Sequence, residues 1–316
     1  MLLEELSNAF GPAGNEDEVR RVLARALKDK VDELSTDAMG NLIAFKKGNG
    51  AKARLKVMVD AHIDEVGLMI TRIDKNGLLG FQAVGSIADR LLLAKGVLVG
   101  EKRLPGVITA PPIHLTKPNQ RKQVITIDQL AIDIGASSEN EAKKLVKLGD
   151  YVTFDTRYQV LSEEGLRTAK GKAFDDRVGC AVAAALADET YEVDLYLAFS
   201  VQEEVGLRGA RVAAYRIDPD VAFALEGTVC DDAPRKEDTS PTTELGKGPA
   251  ITVMDRSFFA DRRLVQLLMD TAEAKGIAFQ IKQPGVGATD AGAIHLTRSG
   301  VPSVTVAVPC RYIHTP

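Results

Sequence analysis

Short apolar runs alternate with helical patterns over much of the 316-residue chain. The runs are rich in Val, Ala and Leu and are typical of buried strands: LKVMVD (55–60), DLYLAFSV (194–201), VAFAL (221–225), AITVM (250–254) and PSVTVAV (302–308). Apolar residues recur at helical spacing between and after these runs, which favours helices over 177–189, about 207–215 and 261–275. This alternation predicts an α/β sandwich.

The first helix of this α/β part is predicted close to the start of the sequence. Asn15 and Glu18 form a pair that resembles a capping box, which is a signature of a helix start. Val19, Val22 and Leu23 follow at helical spacing. We therefore expect a helix from residue 16 to about residue 30.

The stretch from Gly67 to about Glu164 has a different pattern. Short β-rich pieces such as LLGFQAV, GVLVG and QLAIDIG are separated by Gly and Pro turns, with one helical pattern near 139–147. The strand–helix alternation resumes afterwards, and the segment before this stretch has too few strands to form its own core. We therefore expect residues 67–164 to be a β-rich domain inserted into a discontinuous domain of residues 1–66 and 165–316. The two ends of such an insertion must lie close together.

Composition and charge exclude several classes of protein. The chain carries a net charge of −4 and has no basic block that could follow a phosphate backbone, so nucleic acid is excluded as a partner. No stretch approaches the roughly 20 consecutive apolar residues of a membrane span. The start, MLLEELSNAFGPAG, lacks the basic and apolar regions of a signal peptide. We therefore expect a soluble, cytoplasmic protein without a membrane partner.

The cysteines narrow the choice of metal ligands. Cys180, Cys230 and Cys310 are scattered, odd in number and never in a CxxC spacing. This pattern indicates neither a disulfide framework nor a thiolate zinc site. Any metal must therefore use oxygen and imidazole ligands.

Polar residues follow several predicted strands, at the sheet edge where open α/β folds bind ligands. His62 comes directly after the first strand and precedes Asp64 by two residues, a spacing that can supply the carboxylate partner of a metal-binding imidazole. A hydrogen-bonded structural histidine is the alternative for His62. Asp175 and Asp176 stand just before a predicted helix, where a metal-binding role competes with that of a helix N-cap.

Four further candidates close later strands. Glu203 and Glu204 lie side by side, so one of their pKa values must rise unless a cation or water screens them. Their side chains diverge, which would let one bind a metal while the other faces a water; a solvated turn is the alternative. Glu226 ends an apolar strand, where burying it unpaired would be costly. His314 follows the last strand, and simple exposure to solvent is its alternative.

The two remaining histidines are interpreted as structural or subunit-contact residues. His114 lies in the turn APPIHLTKP of the inserted stretch, and His295 follows the segment GATDA on a helix. The other candidates are two imidazoles and several carboxylates, all at strand ends. This is the inventory needed by two divalent cations held about 3.5–4 Å apart and bridged by one carboxylate and one water.

The motifs that carry these candidates closely resemble a known family, the co-catalytic metallo-aminopeptidases of the M42, or tetrahedral aminopeptidase, type. They are, in order, AHIDEVG, KAFDDRVG, VQEEVGLRG, ALEGTV, GATDAGAIHL and VPCRYIHTP. The resemblance runs through almost the whole chain. It implies a mixed-sheet α/β/α metallopeptidase domain with an inserted β-rich dimerisation domain. It also implies homo-oligomers, in which dimers assemble into a hollow tetrahedral dodecamer.

Residue by residue, the resemblance implies a site for two divalent metal ions in each chain. His62 and Glu226 would complete one metal site, Glu204 and His314 the other, and Asp175 would bridge the two. Zinc is the expected ion, and cobalt or manganese would suit the same oxygen and imidazole ligands.

The resemblance also implies roles in catalysis for two further residues. Glu203 would be the general acid/base, and Asp64 would orient His62. We hypothesise that a water bridging the two cations loses its proton to Glu203 and attacks the carbonyl of the first residue, after which Glu203 passes the proton to the leaving amine. The expected activity is the removal of N-terminal residues from peptides that have a free N-terminus.

Two departures from the family pattern modify these expectations. Many members carry Asp where this chain has Glu226; zinc accepts either carboxylate, but the longer side chain can alter the spacing of the site and its metal preference. The sequence given ends at Pro316, where relatives continue into a further helix. We therefore expect either that the chain given is incomplete or that the His314 loop is poorly anchored and the second metal site compromised.

Alternatives from other classes stay open at this point. Glu203, Glu204 and Glu226 offer the paired carboxylates of an endoglucanase-like glycoside hydrolase. A non-catalytic assembly subunit would keep the fold without full metal binding. An amidase or deacylase acting on small N-acyl substrates is a related alternative within the metal-dependent class. Chelation distinguishes a metallopeptidase from a glycosidase, and metal stoichiometry distinguishes an enzyme from an assembly subunit.

Overall fold

An eight-stranded mixed sheet forms the larger part of the fold in the computed structural model, which describes residues 1–50, 55–119, 122–232 and 241–316. The strands are β1 (Glu33–Thr36), β2 (Leu42–Lys46), β3 (Lys56–His62), β4 (Gly67–Ile73), β5 (Leu79–Val84), β6 (Gly96–Val99), β7 (Leu104–Thr109), β8 (Ala131–Asp133), β9 (Tyr151–Phe154), β10 (Gln159–Ser162), β11 (Thr168–Lys170), β12 (Asp194–Ser200), β13 (Val221–Val229), β14 (Ala250–Thr252), β15 (Gln280–Ile281) and β16 (Ser303–Cys310). The helices are α1 (Leu2–Asn8), α2 (Asp17–Leu27), α3 (Glu139–Leu145), α4 (Phe174–Leu186), α5 (Arg208–Ile217), α6 (Arg262–Lys275) and α7 (Ala291–Ile294). The sheet has the strand order β1-β2-β12-β3-β13-β16-β14-β15.

Four neighbouring strands at the centre of this sheet, β12, β3, β13 and β16, run parallel to one another. In their register Ser200 lies beside His62, and Glu226 lies beside Ala307. The flanking strands β2 and β14 join the parallel group in antiparallel fashion. Parallel strands that are covered on both faces have near-continuous apolar sequences. This explains why these four strands could be predicted from the sequence.

Helices cover both faces of the sheet. Val59 and Ala61 of β3 point to one face, where they share a core with residues of α1, α2 and α4. Met58 points to the other face, as expected from the alternation along a strand, and packs with residues of α5 and α7. This three-layer arrangement confirms the predicted mixed-sheet α/β class. Within the described ranges, none of the helices has both the length and the apolar character required to cross a lipid bilayer.

Residues 67–154 contain a closed six-stranded barrel with the order β4-β5-β8-β7-β6-β9. Its interior is filled by apolar side chains such as Leu68, Phe81 and Ile108. Because β4 pairs with β9, the chain enters and leaves the barrel at adjacent strands, as an insertion requires. The hairpin of β10 and β11 spans the boundary predicted between residues 164 and 165, and the division into two domains stays a prediction.

The helix near the start of the chain differs from its predicted form. Helix α2 begins at Asp17 and has no side-chain cap, so the capping box predicted for Asn15 and Glu18 is wrong. The N-cap of α2 is Glu16 and not Asn15, and the Glu18 carboxylate forms an ion pair with Arg103 of the barrel. A contact between distant parts of the chain thus replaces the local hydrogen bond.

Candidate metal centre

The predicted site residues converge on one edge of the central sheet. His62 is the last residue of β3, Glu226 lies near the end of β13, and His314 follows β16. Glu203 and Glu204 follow β12 in a turn after Ser200. Because these four strands are parallel neighbours, their carboxyl ends place the side chains beside one another.

The first cluster surrounds the imidazole of His62, which is only 1% exposed. Its Nε2 atom lies 3.2 Å from Oδ1 of Asp175, 3.5 Å from Oε2 of Glu226 and 3.8 Å from Oε2 of Glu203. A nitrogen facing three carboxylates is unlike a histidine satisfied within an apolar core. Of the two interpretations left open by the sequence, the geometry thus favours the functional one for His62.

The second cluster surrounds His314, which is partly buried. Its Nε2 atom lies 3.3 Å from Oε2 of Glu204 and 3.5 Å from Oδ2 of Asp175. Its Nδ1 lies 2.9 Å from the backbone carbonyl of Ser86 in the segment that follows β5. An N–H donated to that carbonyl leaves Nε2 free to accept, which is how metal-binding histidines are commonly oriented. His314 is thus held in the site, contrary to the expectation of a poorly anchored loop.

Asp175 and Asp176, at the start of α4, make different contacts. Their backbone torsions are not helical, and the two oxygens of Asp175 face different histidines, His62 and His314. Asp176 instead accepts a hydrogen bond from the backbone N–H of Gly179 at 2.9 Å, which is a capping interaction. The competing N-cap interpretation therefore applies to Asp176, while Asp175 joins the two clusters.

Asp64 holds the turn that carries the two glutamates. Its Oδ1 accepts the backbone N–H of Glu203 at 2.9 Å, and its Oδ2 accepts that of Glu204 at 3.1 Å. Its Oδ1 also lies 3.5 Å from Nδ1 of His62. Sequence reasoning linked Asp64 only to His62 and missed the two backbone bonds, because the His-x-Asp spacing carries no information about a turn after another strand.

Burial and like charges shift the pKa values of the carboxylates. Burial raises the pKa of Glu203 well above its usual value, and the charge of Glu226 adds to this effect. Burial, reinforced by Asp175, raises the pKa of Glu204 to about 8. Burial likewise raises the pKa of Glu226 to about 7. These carboxyl groups therefore ionise fully near neutral pH only when a positive charge joins them.

The histidines and Asp175 show the complementary shifts. Burial alone would lower the pKa of His314, but the interactions of the imidazole with Asp175 and Glu204 raise that pKa to about 9. Burial alone would also lower the pKa of His62. The surrounding carboxylates, Glu203 foremost, nevertheless raise that pKa well above the usual value. Burial alone would raise the pKa of Asp175, but its bonds to the two histidines hold it below its usual value. The site is strongly negative and draws in positive charge.

The donor set fits divalent metal ions. Two groups of potential ligand atoms each lie within 4.8 Å of one another; they are His62, Asp176 and Glu226, and Asp175, Glu204 and His314. Buried atoms Nδ1 of His62 and Oδ2 of Asp176 have no hydrogen-bond partner among the described residues. Imidazole nitrogen and carboxylate oxygen suit zinc, cobalt and manganese. Asp176 was not predicted as a ligand, and its place in the first group is the main addition to the sequence-based set.

A buried carboxyl pair beneath the first cluster was also missed. Ser200 Oγ lies 2.7 Å from Oδ2 of Asp290 and 3.2 Å from Oδ2 of Asp60. Burial and the neighbouring Asp290 raise the pKa of Asp60 well above its usual value. The backbone N–H of Asp290 in turn donates to Oε1 of Glu226 at 3.4 Å. The available signal was Asp60 itself, an acid that ends the apolar run LKVMVD.

The remaining histidines lie away from these clusters. His114 is exposed within a short turn of the 67–164 stretch, and Nδ1 of His295 contacts the carbonyl of Ala291 at 3.0 Å. A cavity of about 620 Å³ borders the second cluster at Asp175, Glu204 and His314. Its volume is typical of sites for small molecules and peptide ends.

Comparison with known protein sequences gives strong matches over nearly the whole chain. The family model described as M42 glutamyl aminopeptidase matches residues 40–316. A putative aminopeptidase of Acetivibrio thermocellus is 39% identical over 317 residues, covering 100% of this chain and 91% of that protein. A lysyl aminopeptidase of Pyrococcus furiosus is 35% identical over 325 residues, covering 99% of this chain and 90% of that protein.

Solved structures match equally well. A TET aminopeptidase from a marine sediment thaumarchaeon has a TM-score of 0.94 at 36% identity, covering 99% of this chain and 89% of that chain. A Pyrococcus horikoshii peptidase is described as assembling into a tetrahedron or a large octahedral shell. It has a TM-score of 0.86 at 36% identity, and the match covers 100% of this chain and 93% of that chain. A Thermotoga maritima protein called an endoglucanase has a TM-score of 0.79 at 37% identity, and the match covers 99% of this chain and 89% of that chain. The endoglucanase name is thus attached to the same fold as the aminopeptidases.

Proposed function

The chain belongs to the M42 peptidase family and is an aminopeptidase, and from that premise we propose which of its residues bind metal and move protons. The observation that carries the proposal is the bridging position of Asp175, whose two oxygens lie 3.2 and 3.5 Å from Nε2 of His62 and of His314. A single carboxylate between two histidines is the arrangement that joins two metal sites.

Two divalent metal ions would occupy the site. His62 and Glu226 would hold one and Glu204 and His314 the other, with Asp175 shared between them. The donor types support zinc, with cobalt or manganese as substitutes. When bound, such ions lower the pKa of coordinated water and polarise a carbonyl oxygen.

Glu203 would act as the general acid/base. Its carboxylate borders the first cluster, and its raised pKa lets it take a proton from water and later release that proton to the leaving amine near neutral pH. Asp64 would keep Glu203 in place through the backbone N–H that it accepts. A base fixed in this way does not need to reorganise during the reaction.

The substrates would be peptides with a free N-terminus. The names of the relatives, among them a lysyl aminopeptidase of Pyrococcus furiosus, support removal of terminal residues over internal cleavage. The names of the relatives do not agree on which N-terminal side chain is preferred. One relative is called a lysyl aminopeptidase, whereas the family model is described as a glutamyl aminopeptidase. The preference of this chain therefore has to come from its own residues.

Assembly into homo-oligomers is the part of the proposal that rests on relatives. The Pyrococcus horikoshii peptidase is described as assembling into a tetrahedron, and we propose that dimers of this chain assemble into a tetrahedral dodecamer, with the 67–164 region as the dimerisation domain. The cytoplasmic location predicted from the sequence stays a prediction.

Chelation tests the proposed function. Dialysis of the purified full chain against EDTA should abolish hydrolysis of a panel of aminoacyl p-nitroanilides, and Zn²⁺ or Co²⁺ should restore it. A carboxylate glycosidase would hydrolyse β-glucan before and after chelation alike. A protein that binds no metal in the presence of excess zinc, and cleaves none of the aminoacyl substrates, would be an assembly subunit and would contradict the proposal.

A further inference from the structure

Lys172 is a buried lysine that lies three residues before the proposed bridging carboxylate, Asp175. It is 5% exposed, and its Nζ lies 2.7 Å from both carboxylate oxygens of Glu65, which is 2% exposed. The same Nζ donates to the backbone carbonyl of Ala9 at 2.6 Å. The ammonium group thus has an acceptor for each of its three protons. A side chain held in this way fixes the start of the short segment that leads to Asp175.

Glu65 is itself held by the N-terminal segment of the chain. It lies three residues after His62, and its Oε1 accepts the backbone N–H of Gly11 at 2.9 Å. Its own backbone N–H donates to the carbonyl of Gly11 at 3.0 Å. The ion pair between Glu65 and Lys172 therefore connects the segment after His62 to the segment before Asp175.

The backbone around Asp175 has little freedom to move. The carbonyl of Lys172 accepts the hydroxyl of the buried Ser7 at 2.7 Å, and Ala173 has a left-handed conformation with a φ of +58°. On the other side, β13 comes close at Gly227, where a Cβ atom would lie 3.0 Å from Cα and 3.1 Å from Cβ of Asp175. A methyl group there would push Asp175 by a few tenths of an ångström. Asp175 is thus held between a buried ion pair and a close backbone approach.

We propose that Lys172 is a positioning residue for Asp175, and that its ion pair with Glu65 sets the place of the bridging carboxylate between the two histidines. This inference rests on the proposed function, because it concerns how a proposed metal ligand is held. A buried ion pair adds little net stability, since desolvation offsets the attraction between its charges. A geometric role explains why such a pair lies beside the site.

The shared position of Asp175 gives this role a specific consequence. Its carboxylate oxygens lie 3.2 Å from Nε2 of His62 and 3.5 Å from Nε2 of His314. A small displacement of the Asp175 backbone changes both distances at once. Loss of the ion pair should therefore weaken both metal sites together, whereas loss of a ligand that belongs to one site should weaken mainly that site.

Metal titration of the purified full chain tests the inference. The variants are Lys172→Met, which removes the charge, Glu65→Asp, which keeps both charges but shortens the pair by one methylene, and Gly227→Ala, which displaces Asp175 from the opposite side. Calorimetry with Zn²⁺ after removal of bound metal gives the number of ions and their affinities. Electron paramagnetic resonance of the Mn²⁺-loaded protein reports the magnetic coupling between two ions that share a bridging ligand.

Lys46→Met is the matched control for loss of a lysine that holds backbone carbonyls. Nζ of Lys46 donates to the carbonyls of Lys30 and Ala187. Lys46 pairs with Leu195 at the start of β12, which is the end of that strand opposite to the site. This variant should lower the melting temperature and leave the number and affinity of the metal ions as in wild type.

Wild type should bind two ions, and Lys172→Met should bind both about 10- to 100-fold more weakly and lose the coupling between Mn²⁺ ions. Gly227→Ala and Glu65→Asp should weaken both ions in the same direction. Wild-type affinity and coupling in folded Lys172→Met would overturn the inference, and so would weakening of one ion alone. If Lys172→Met does not fold, Glu65→Asp decides in its place by the same criteria. A wild type that binds fewer than two ions would instead contradict the proposed two-metal site, and the inference with it.

Discussion

Glu203 and Glu204 are adjacent in the sequence, yet their carboxylates face different histidines. Glu203 lies near His62 and Glu204 near His314. Asp64 accepts the backbone N–H groups of both glutamates, which fixes the turn between them. Because the proposed base and a proposed ligand share one turn, single substitutions can separate their roles.

Substitution of Glu203 by Gln should lower kcat about 10²- to 10⁴-fold, because the amide keeps the shape of the side chain but cannot take up a proton. Metal content should stay at the wild-type level, since Glu203 is not among the proposed ligands. The matched variant Glu204→Gln should instead lose metal. Steady-state rates with a leucine p-nitroanilide and metal analysis by mass spectrometry measure both effects. Activity kept by Glu203→Gln, or metal loss equal to that of Glu204→Gln, would refute the assignment.

At the residue scale, the sequence predicted side chains better than it predicted their partners. His62 and Glu226 could be selected because polar residues at the ends of apolar strands are conspicuous. The different contacts of Asp175 and Asp176 could not be predicted, because two adjacent acids are equivalent in the sequence until the backbone places their side chains.

The turn that carries His314 is held at two points by other elements. One is the carbonyl of Ser86, which follows β5 of the barrel. The other is an ion pair in which Nε of Arg311 lies 2.7 Å from Oδ1 of Asp232, whose Oδ2 accepts the N–H of Leu245. The position of a proposed metal ligand therefore depends on the barrel and on the segment after β13.

Substitution of Asp232 by Asn should lower the melting temperature at neutral pH, by an amount that shrinks in acid. The Arg311 guanidinium lowers the pKa of Asp232 to about 2, against about 3.9 in an unfolded chain. Because the folded value is the lower one, the ion pair contributes stability above about pH 4 and loses it as the pH falls towards about 2. Thermal unfolding of wild type and variant at pH 7, 5, 4 and 3 measures the difference.

The double variant with Arg311→Gln is the control for the Asp232 prediction. If the two residues act through one ion pair, the double variant should be little less stable than either single variant. Fully additive losses would show that they act separately. A difference between wild type and Asp232→Asn that stays constant down to pH 3 would contradict the assigned role of the carboxylate.

At the scale of elements, strands and helices were predictable where periodicity is strong. The apolar run at 302–308 corresponds to β16, and the pattern over 261–275 corresponds to α6. The start of α2 was predicted to within one residue, but its capping box was predicted wrongly, since Glu16 is the N-cap and Glu18 pairs with Arg103 of the barrel. Strand order was also beyond the sequence, since β12 lies between β2 and β3 although the barrel separates it from them along the chain.

At the scale of the whole molecule, a buried ionic network lies at the junction of sheet and barrel. Glu65 stands between β3 and β4, where the chain passes from one to the other, and pairs with Lys172. Nε of Arg177 donates to the carbonyl of Ile63 at 3.0 Å, and its guanidinium also reaches the carbonyl of Leu6. The network links the N-terminal segment, the junction and α4. The point where the chain enters the barrel is therefore tied to the segment just before α4 by paired charges, which favour a defined geometry over a loose hinge.

Assembly is predicted to depend on the barrel. Leu115 is 78% exposed and Val124 is 50% exposed, both in the connection between β7 and β8. An assembly interface on this connection would cover such exposed apolar side chains. The paired substitution of both residues by Asp should reduce the native mass from a multiple of 34.0 kDa towards smaller species, because charges in an apolar interface are costly to bury.

Light scattering after size exclusion measures this change in mass, and circular dichroism checks that the variant is folded. Leu267→Asp is the matched control, since Leu267 is 54% exposed but lies on α6 of the sheet region. It should leave the mass as in wild type if assembly depends on the barrel. A wild-type protein that runs as a monomer would contradict the proposed homo-oligomer. A folded barrel variant that keeps the full mass would contradict only the surface, because the assembly would then depend on contacts elsewhere.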